Sequence, residues 1–149
     1  MDSCTFHTTR TLPYPPAEVF AAFAAPEVLA TWWGPDGFTN TFEVFEFQPG
    51  GRWLFVMHGP DGSHYPNQNR FEVLEPGERI VIRHANAPLF TLTVRLEAVV
   101  AAEGTGTRLD WTQVFDDAQV AQAVRPIVEP ANEQNLDRLS RALARVQPG

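Results

Sequence analysis

The sequence of 149 residues contains no lysine, and all 11 of its basic residues are arginines. Without lysine the chain cannot form a Schiff base with a carbonyl substrate, and it lacks the lysine of a phosphate-binding P-loop. Its 18 acidic residues give a formal net charge of −7, and the arginines are spread along the chain rather than clustered. We therefore expect no binding to nucleic acid and none to an anionic membrane surface.

Cysteine is nearly absent as well: Cys4 is the only one, and an internal disulfide bond needs two. Residues 1–10 contain no apolar run typical of a signal peptide, and no stretch approaches the roughly 20 apolar residues of a membrane-spanning helix. We therefore expect a cytoplasmic protein without membrane insertion. With 44% hydrophobic and only 19% charged residues, the composition is that of a globular chain, and we expect residues 1–149 to form a single domain.

The aromatic side chains are unevenly distributed along the chain. Of the 11 Phe, 4 Trp and 2 Tyr residues, 12 lie within the first 60 residues, and none follows Phe115. We therefore expect the first half of the chain to supply most of the rings of the core, and the tail to contribute aliphatic contacts.

Local patterns predict one strand, two short helices, about six further strands and a long helix. The threonine-rich residues 5–12 favour a strand, and Pro16 and Pro26 each stand near the start of a short helical pattern. Between Phe38 and Phe115, turn signals rich in glycine and proline separate alternating segments, as in an antiparallel meander.

The tail has a helical pattern in which Leu136, Leu139 and Leu143 recur at intervals of three and four residues. Pro126 and Pro130 precede this stripe, and proline usually interrupts a helix. We therefore expect a short helical segment before Pro126 and the main helix to begin at about Pro130.

Five segments that follow one another along nearly the whole chain resemble a known family: PPAEVFAAFAAPEVLATWWGP, FEFQPGGRWLF, PDGSHYPNQNRFEVLEPGERIVIRH, LFTLTVRLEAVVAAEGTGTRLDWTQVF and NLDRLSRAL. The chain is similar to the START-related helix-grip superfamily (SRPBCC), in the branch of the C-terminal domain of the activator of Hsp90 ATPase. The resemblance implies an α+β helix-grip fold. In this fold, two short helices follow the first strand of a curved antiparallel sheet of about six or seven strands, and a long C-terminal helix packs across the sheet.

A single helix cannot cover so wide a sheet, so the fold implies a wedge between the two that is either filled by side chains or left as a cavity. We expect this wedge to bind a small hydrophobic or amphipathic ligand. The residues expected to line it are Trp33, Trp53, Phe55, Met57, Tyr65, Asn69, His84, Phe90, Trp111, Leu136 and Leu139. A plain hydrophobic core shows the same stripes, so whether the rings fill the wedge or line it stays open at this point.

Histidines are the candidates for chemistry. His84 shares a strand face with Ile80 and Ile82, which predicts that it points inwards, and it is the one weak candidate for a catalytic residue. The turn after His58 brings His64 near it, but their spacing matches no zinc motif, and we expect neither a metal nor a cofactor.

Three functions are compatible with the sequence. The first is a binding domain for a small hydrophobic ligand, which we consider better supported than an enzyme. The second is a cyclase or hydrolase that acts on an aromatic or polyketide-like substrate, in which His84 or a tyrosine/asparagine pair transfers the proton. The chain has no G-x-S-x-G motif. The third is an interaction domain that resembles the Hsp90 activator. A homodimer is left open.

Overall fold

The computed structural model describes residues 4–146. Within this range the strands are β1 (Thr5–Leu12), β2 (Thr39–Phe45), β3 (Arg52–His58), β4 (His64–Glu75), β5 (Arg79–His84), β6 (Phe90–Ala101) and β7 (Gly104–Phe115). The helices are α1 (Pro16–Ala24), α2 (Pro26–Trp32) and α3 (Ala118–Val146). The predicted order of strand, two short helices, six strands and a long helix is confirmed.

The strands form one sheet in the order β1-β7-β6-β5-β4-β3-β2, and all neighbours are antiparallel. From β2 to β7 each strand pairs with the next one along the chain, whereas β1 lies beside β7 at the opposite edge from β2. The register shifts between Phe42 and Val44 and again between Phe71 and Val73. Irregularities of this kind increase the local twist and bend a strand, which helps the sheet to curve around its core.

The two short helices begin at prolines for the same physical reason. In the first turn of a helix, the N–H groups have no carbonyl partner within the helix, so proline, which lacks an N–H group, is favoured there. Pro16 and Pro26 stand at these positions. Ala25 separates the helices in an extended conformation, as expected for a residue before proline. The buried indole of Trp32 then donates a hydrogen bond from Nε1 to the carbonyl oxygen of Ala22 at 3.1 Å, which fixes α2 against α1.

The predicted interruption of the terminal helix is wrong, because α3 is continuous over 29 residues and contains both Pro126 and Pro130. The two prolines are exposed and four residues apart, so they lie on the same, outer side of the helix. Each proline deprives a carbonyl one turn earlier of its N–H partner. On this outer side water can supply the missing hydrogen bond, while the inner side of α3 keeps its packing against the sheet.

The inner side of α3 is anchored by Leu136, Leu139 and Leu143, which are fully buried in the same cluster as Trp32 and Trp53. Burial of each leucine contributes about 2 kcal/mol. The curved seven-stranded sheet with one long helix across it confirms the predicted α+β helix-grip fold. Within residues 4–146, no helix combines the length and the apolar character needed to cross a membrane.

Candidate functional site

A cavity of about 180 Å³ lies between the sheet and α3. Ile82 lies opposite Leu92, and Leu92 lies opposite Gln113 in the pairing of β5, β6 and β7. Because alternate side chains of a strand point to the same face, the residues two positions away also face the cavity. The sheet side of the cavity on these strands is formed by Ile82, His84, Phe90, Leu92, Trp111 and Gln113.

The other walls come from the helix, from the neighbouring strands and from the loop after α2. These lining residues are Val128, Ala131, Asn132 and Asn135 of α3, Met57 of β3, Asn67 and Asn69 of β4, and Trp33, Gly34 and Pro35 of the loop. The four helix residues are spaced by three, one and three positions, which places them on one face of α3. Of the described residues that line the cavity, His84 is the only one with an ionisable side chain near neutral pH.

His84 is held rigidly at one end of the cavity. Its side chain is only 5% exposed, and its ring stacks on Phe90 with the ring centres 4.6 Å apart. Its Nδ1 lies 2.9 Å from Oδ1 of Asn69. The amide nitrogen of Asn69 donates to the carbonyl oxygen of Trp53 at 3.2 Å, so the oxygen end of the Asn69 amide must face the histidine.

This geometry determines the protonation of His84. Burial, together with the charge of Arg83, lowers the pKa of His84 from 6.5 to about 4, so the ring is neutral at pH 7. An amide oxygen only accepts hydrogen bonds, so Nδ1 must carry the single proton and donate it to Asn69. Nε2 is therefore a bare acceptor, and no residue of the described range 4–146 donates a hydrogen bond to it.

A second polar group lies where β7 meets α3. Nδ2 of Asn132 donates to Oε1 of Gln113 at 3.0 Å, so the amide nitrogen of Gln113 keeps its own hydrogens for another partner. One turn along the helix, Nδ2 of Asn135 donates to the carbonyl oxygen of Trp32 at 2.8 Å. These bonds fix amide groups within an otherwise apolar lining, the arrangement by which pockets orient small ligands.

The loop that borders the cavity is held by one arginine of α3. The guanidinium group of Arg138 donates from Nη1 to the carbonyls of Trp33, Gly34 and Pro35 and from Nη2 to those of Thr31 and Phe38, at distances between 2.8 and 3.2 Å. Burial lowers the pKa of Arg138, but an arginine stays charged at any ordinary pH. Arg138 therefore sets the position of Trp33, Gly34 and Pro35 relative to the helix.

His58 and His64 do come together at the end of the β3–β4 hairpin, outside the cavity. Their Nδ1 atoms lie 2.7 Å apart, and Nε2 of His58 is 2.7 Å from the hydroxyl of Thr41. The histidines thus hydrogen-bond to each other and to the sheet. Residues 4–146 contain no group of three or more histidine, cysteine, aspartate or glutamate side chains close enough to hold a metal ion.

Comparison with known proteins reveals the family. The family model described as "Activator of Hsp90 ATPase homolog 1-like protein" matches residues 13–144. The chain belongs to this family. The resemblance to the Hsp90 activator branch of the helix-grip superfamily is thereby confirmed, although no curated protein matches the chain significantly.

Solved structures similar to this member of the Hsp90 ATPase activator homolog 1-like family support the fold. A protein from Chromobacterium violaceum is 26% identical with a TM-score of 0.80, covering 97% of this chain and 99% of the other. A protein from Arthrobacter aurescens is 23% identical with a TM-score of 0.84, covering 96% and 87% of the two chains. The AHSA1 protein from Silicibacter pomeroyi is 18% identical with a TM-score of 0.77, covering 96% and 99%.

Six of the eleven residues predicted for the ligand site meet at the cavity of this family member: Trp33, Met57, Asn69, His84, Phe90 and Trp111. Four others are packed into the core instead, namely Trp53, Phe55, Leu136 and Leu139, none of them more than 1% exposed. Tyr65 is 46% exposed and lies beside Phe38, away from the cavity. Of the two adjacent tryptophans, Trp32 is buried in the core and Trp33 lines the cavity.

The sequence reasoning missed the helix side of the cavity and Gln113. We expected the main helix to begin near Pro130 and its leucines to line the cavity. The cavity is lined instead by residues of α3 that precede Leu136. A signal was present: Asn132 stands four residues before Leu136, and Asn135 four residues before Leu139, on the face that the leucines bury. Amides on a buried helix face are an informative observation, because burying them requires partners.

Proposed function

We propose that this chain binds a small, mainly apolar molecule in the cavity between the sheet and α3. The observation that carries the proposal is a cavity whose walls are mostly aromatic and aliphatic, with a few fixed polar groups. Its volume of about 180 Å³ is slightly more than the roughly 150 Å³ of an apolar cavity that binds benzene. A molecule with one or two rings matches this size.

Two other depressions suit a ligand less well, although they are larger. One of about 300 Å³ lies between β1 and α3 and includes Glu129 and Glu133, the second of which pairs with Arg10 at 3.0 Å. The other, of about 610 Å³, runs over the surface beside Pro13 and Glu103. Phe6 is the one Phe, Trp or Tyr residue that lines the first depression and Tyr14 the one that lines the second, whereas Trp33, Phe90 and Trp111 line the cavity under α3.

Ligand binding is tested by filling the cavity. Ala131 lines it from α3, so Ala131→Phe is expected to occupy the space that a ligand needs. The matched control is Ala144→Phe, at an exposed position of the same helix. One-ring and two-ring aromatic compounds are expected to raise the melting temperature of the original chain and of Ala144→Phe, but not that of Ala131→Phe, because a ligand that binds only the folded state stabilises it.

The result that would overturn the proposal is equally direct. If no compound of a broad aromatic and lipid-like panel stabilises the original chain, and native mass spectrometry of protein from its own cells shows no bound molecule, ligand binding is refuted. Equal stabilisation of Ala131→Phe and of the original chain would show that ligands bind elsewhere.

The enzyme alternative has weaker support than ligand binding. A histidine with a pKa of about 4 is a poor general base near neutral pH, where efficient proton transfer favours a pKa close to the working pH. The family description names activation of Hsp90 ATPase, which makes stimulation of that ATPase a second hypothesis to test with the purified chain. Ligand binding neither requires nor excludes a homodimer, and a cytoplasmic location stays an expectation.

A further inference from the structure

The cavity contains an acceptor that the protein itself does not use. His84 donates through Nδ1 to Asn69, and its Nε2 receives no hydrogen bond from residues 4–146. The ring is 5% exposed and lines the cavity, so a molecule bound in the cavity is the hydrogen-bond partner that Nε2 can reach. Nε2 has no partner within residues 4–146, so the site gains most when the bound molecule supplies a donor to it.

Charge restricts the bound molecule further. The described lining residues include no aspartate, glutamate, lysine or arginine, and His84 is neutral at pH 7. A carboxylate or an ammonium group would therefore lose its hydration in the cavity without finding an opposite charge. An uncharged molecule avoids this cost.

The second polar group lies across the cavity from His84. His84 is on β5 and Gln113 on β7, with Phe90 and Leu92 of β6 between them. Two strand spacings amount to about 10 Å, which leaves room for a ring system over the β6 side chains. The amide nitrogen of Gln113 is a donor, so the two sides of the cavity differ in chemistry: His84 offers an acceptor and Gln113 a donor.

We propose that His84 selects the ligand, an inference that rests on the proposed function. The cavity takes an uncharged molecule of one or two rings that donates a hydrogen bond from a hydroxyl or N–H group to Nε2 of His84. Asn69 is then a positioning residue, because it holds the histidine in the tautomer that accepts.

Three probes of similar shape test this selection by calorimetry at pH 7.5. These are 2-naphthol, naphthalene, which has no donor, and 2-naphthoate, which carries a charge. Hydrophobicity alone favours naphthalene, whereas one added hydrogen bond makes 2-naphthol about tenfold tighter. We expect the order 2-naphthol, naphthalene, 2-naphthoate, with the last too weak to detect.

His84→Phe keeps a ring stacked on Phe90 and removes the acceptor. It is expected to abolish the preference for 2-naphthol while naphthalene still binds. His7→Phe is the matched control, because His7 is exposed and lies outside the cavity, and it is expected to leave the preference unchanged. A preference for 2-naphthol that survives in His84→Phe overturns the inference.

Nitrogen NMR of the unaltered chain gives a test that does not depend on a folded variant. The chain has only four histidines, so their ring nitrogens can be assigned. His84 is expected to show a protonated Nδ1 and a bare Nε2, and the Nε2 resonance is expected to move with 2-naphthol but not with naphthalene. The opposite tautomer, or equal shifts with both probes, refutes the inference while ligand binding stands; binding of none of the probes refutes it together with ligand binding in this cavity.

Discussion

Replacing Arg138 with methionine tests whether one side chain holds the loop that borders the cavity. Methionine keeps most of the aliphatic stem and removes every donor. The two terminal nitrogens of Arg138 carry four N–H bonds and serve five backbone carbonyls, so at least one hydrogen is shared. No other side chain of α3 makes as many hydrogen bonds to the loop within residues 4–146.

The magnitude follows from this number of bonds. Each hydrogen bond contributes about 1 kcal/mol net, and carbonyls near the surface recover part of this from water. We therefore expect Arg138→Met to lower the free energy of unfolding by about 2 to 4 kcal/mol. For a chain of this length, that loss lowers the melting temperature by roughly 5 to 15 °C. Arg138→Lys is expected to lose about half as much, because an ammonium group has three donors and no planar fork.

Arg141→Met is the matched control, one turn further along α3. Arg141 contacts the same loop, but only through a surface ion pair with Asp36 at 3.4 Å, with both side chains 59% exposed. Such pairs contribute about 0 to 1 kcal/mol. Urea denaturation measures the loss of stability, and hydrogen exchange of the backbone amides from Trp33 to Phe38 measures the loosening of the loop. If Arg138→Met and Arg141→Met lose the same stability, the inference that Arg138 holds the loop is refuted.

Two further predictions concern His84 and the glycines before β3. The pKa of His84 is about 4 in the folded chain and about 6.5 when unfolded, so the unfolded chain binds the proton more readily between these values, and stability falls as the pH drops through this window. Between pH 7.5 and pH 4.5 the original chain should lose about 2 to 3 kcal/mol more than His84→Gln, measured by urea denaturation; equal losses would contradict a buried, neutral histidine. A β-carbon at Gly51 would collide with the backbone oxygen of Glu46, so Gly51→Ala should cost about 3 kcal/mol. At Gly50 there is open space but a φ of +81°, so Gly50→Ala should cost only about 1 kcal/mol, and a reversed order of the two melting temperatures would disprove the steric argument.

The sheet and the short helices were predictable because their signals are local. The alternation of Ile80, Ile82 and His84 specifies which face of a strand is inward, and Pro16 and Pro26 mark helix starts. The length of α3 was not predictable in the same way. The tolerance of Pro126 and Pro130 depends on their facing solvent, which is a property of the packed molecule rather than of the local sequence.

The division of the site between core and cavity depends on the same tertiary information. Trp53 and Trp111 alternate inward on their strands with equal clarity, yet only Trp111 lines the cavity. Trp53 is covered by Phe42, Phe55 and neighbouring rings, which occupy the space in front of it. Strand alternation gives the direction of a side chain but not what lies opposite, so sequence reasoning could name the inward rings without separating the two groups.

The side chains of α3 determine whether an inward ring of the sheet is covered or lines the cavity. This explains where the aromatic first half of the chain leaves a cavity. Leu136, Leu139 and Leu143 of the helix belong to the same cluster as the rings of Trp32 and Trp53, and all five side chains are fully buried. Facing β5 to β7, the helix presents Ala131 and two asparagines, which are too short to reach the sheet or are directed to fixed hydrogen-bond partners. The rings therefore fill the wedge at one end and line it at the other. On this view the helix face determines the position and size of the cavity, and a change at Ala131 should alter ligand size more than an equal change of volume among the buried rings.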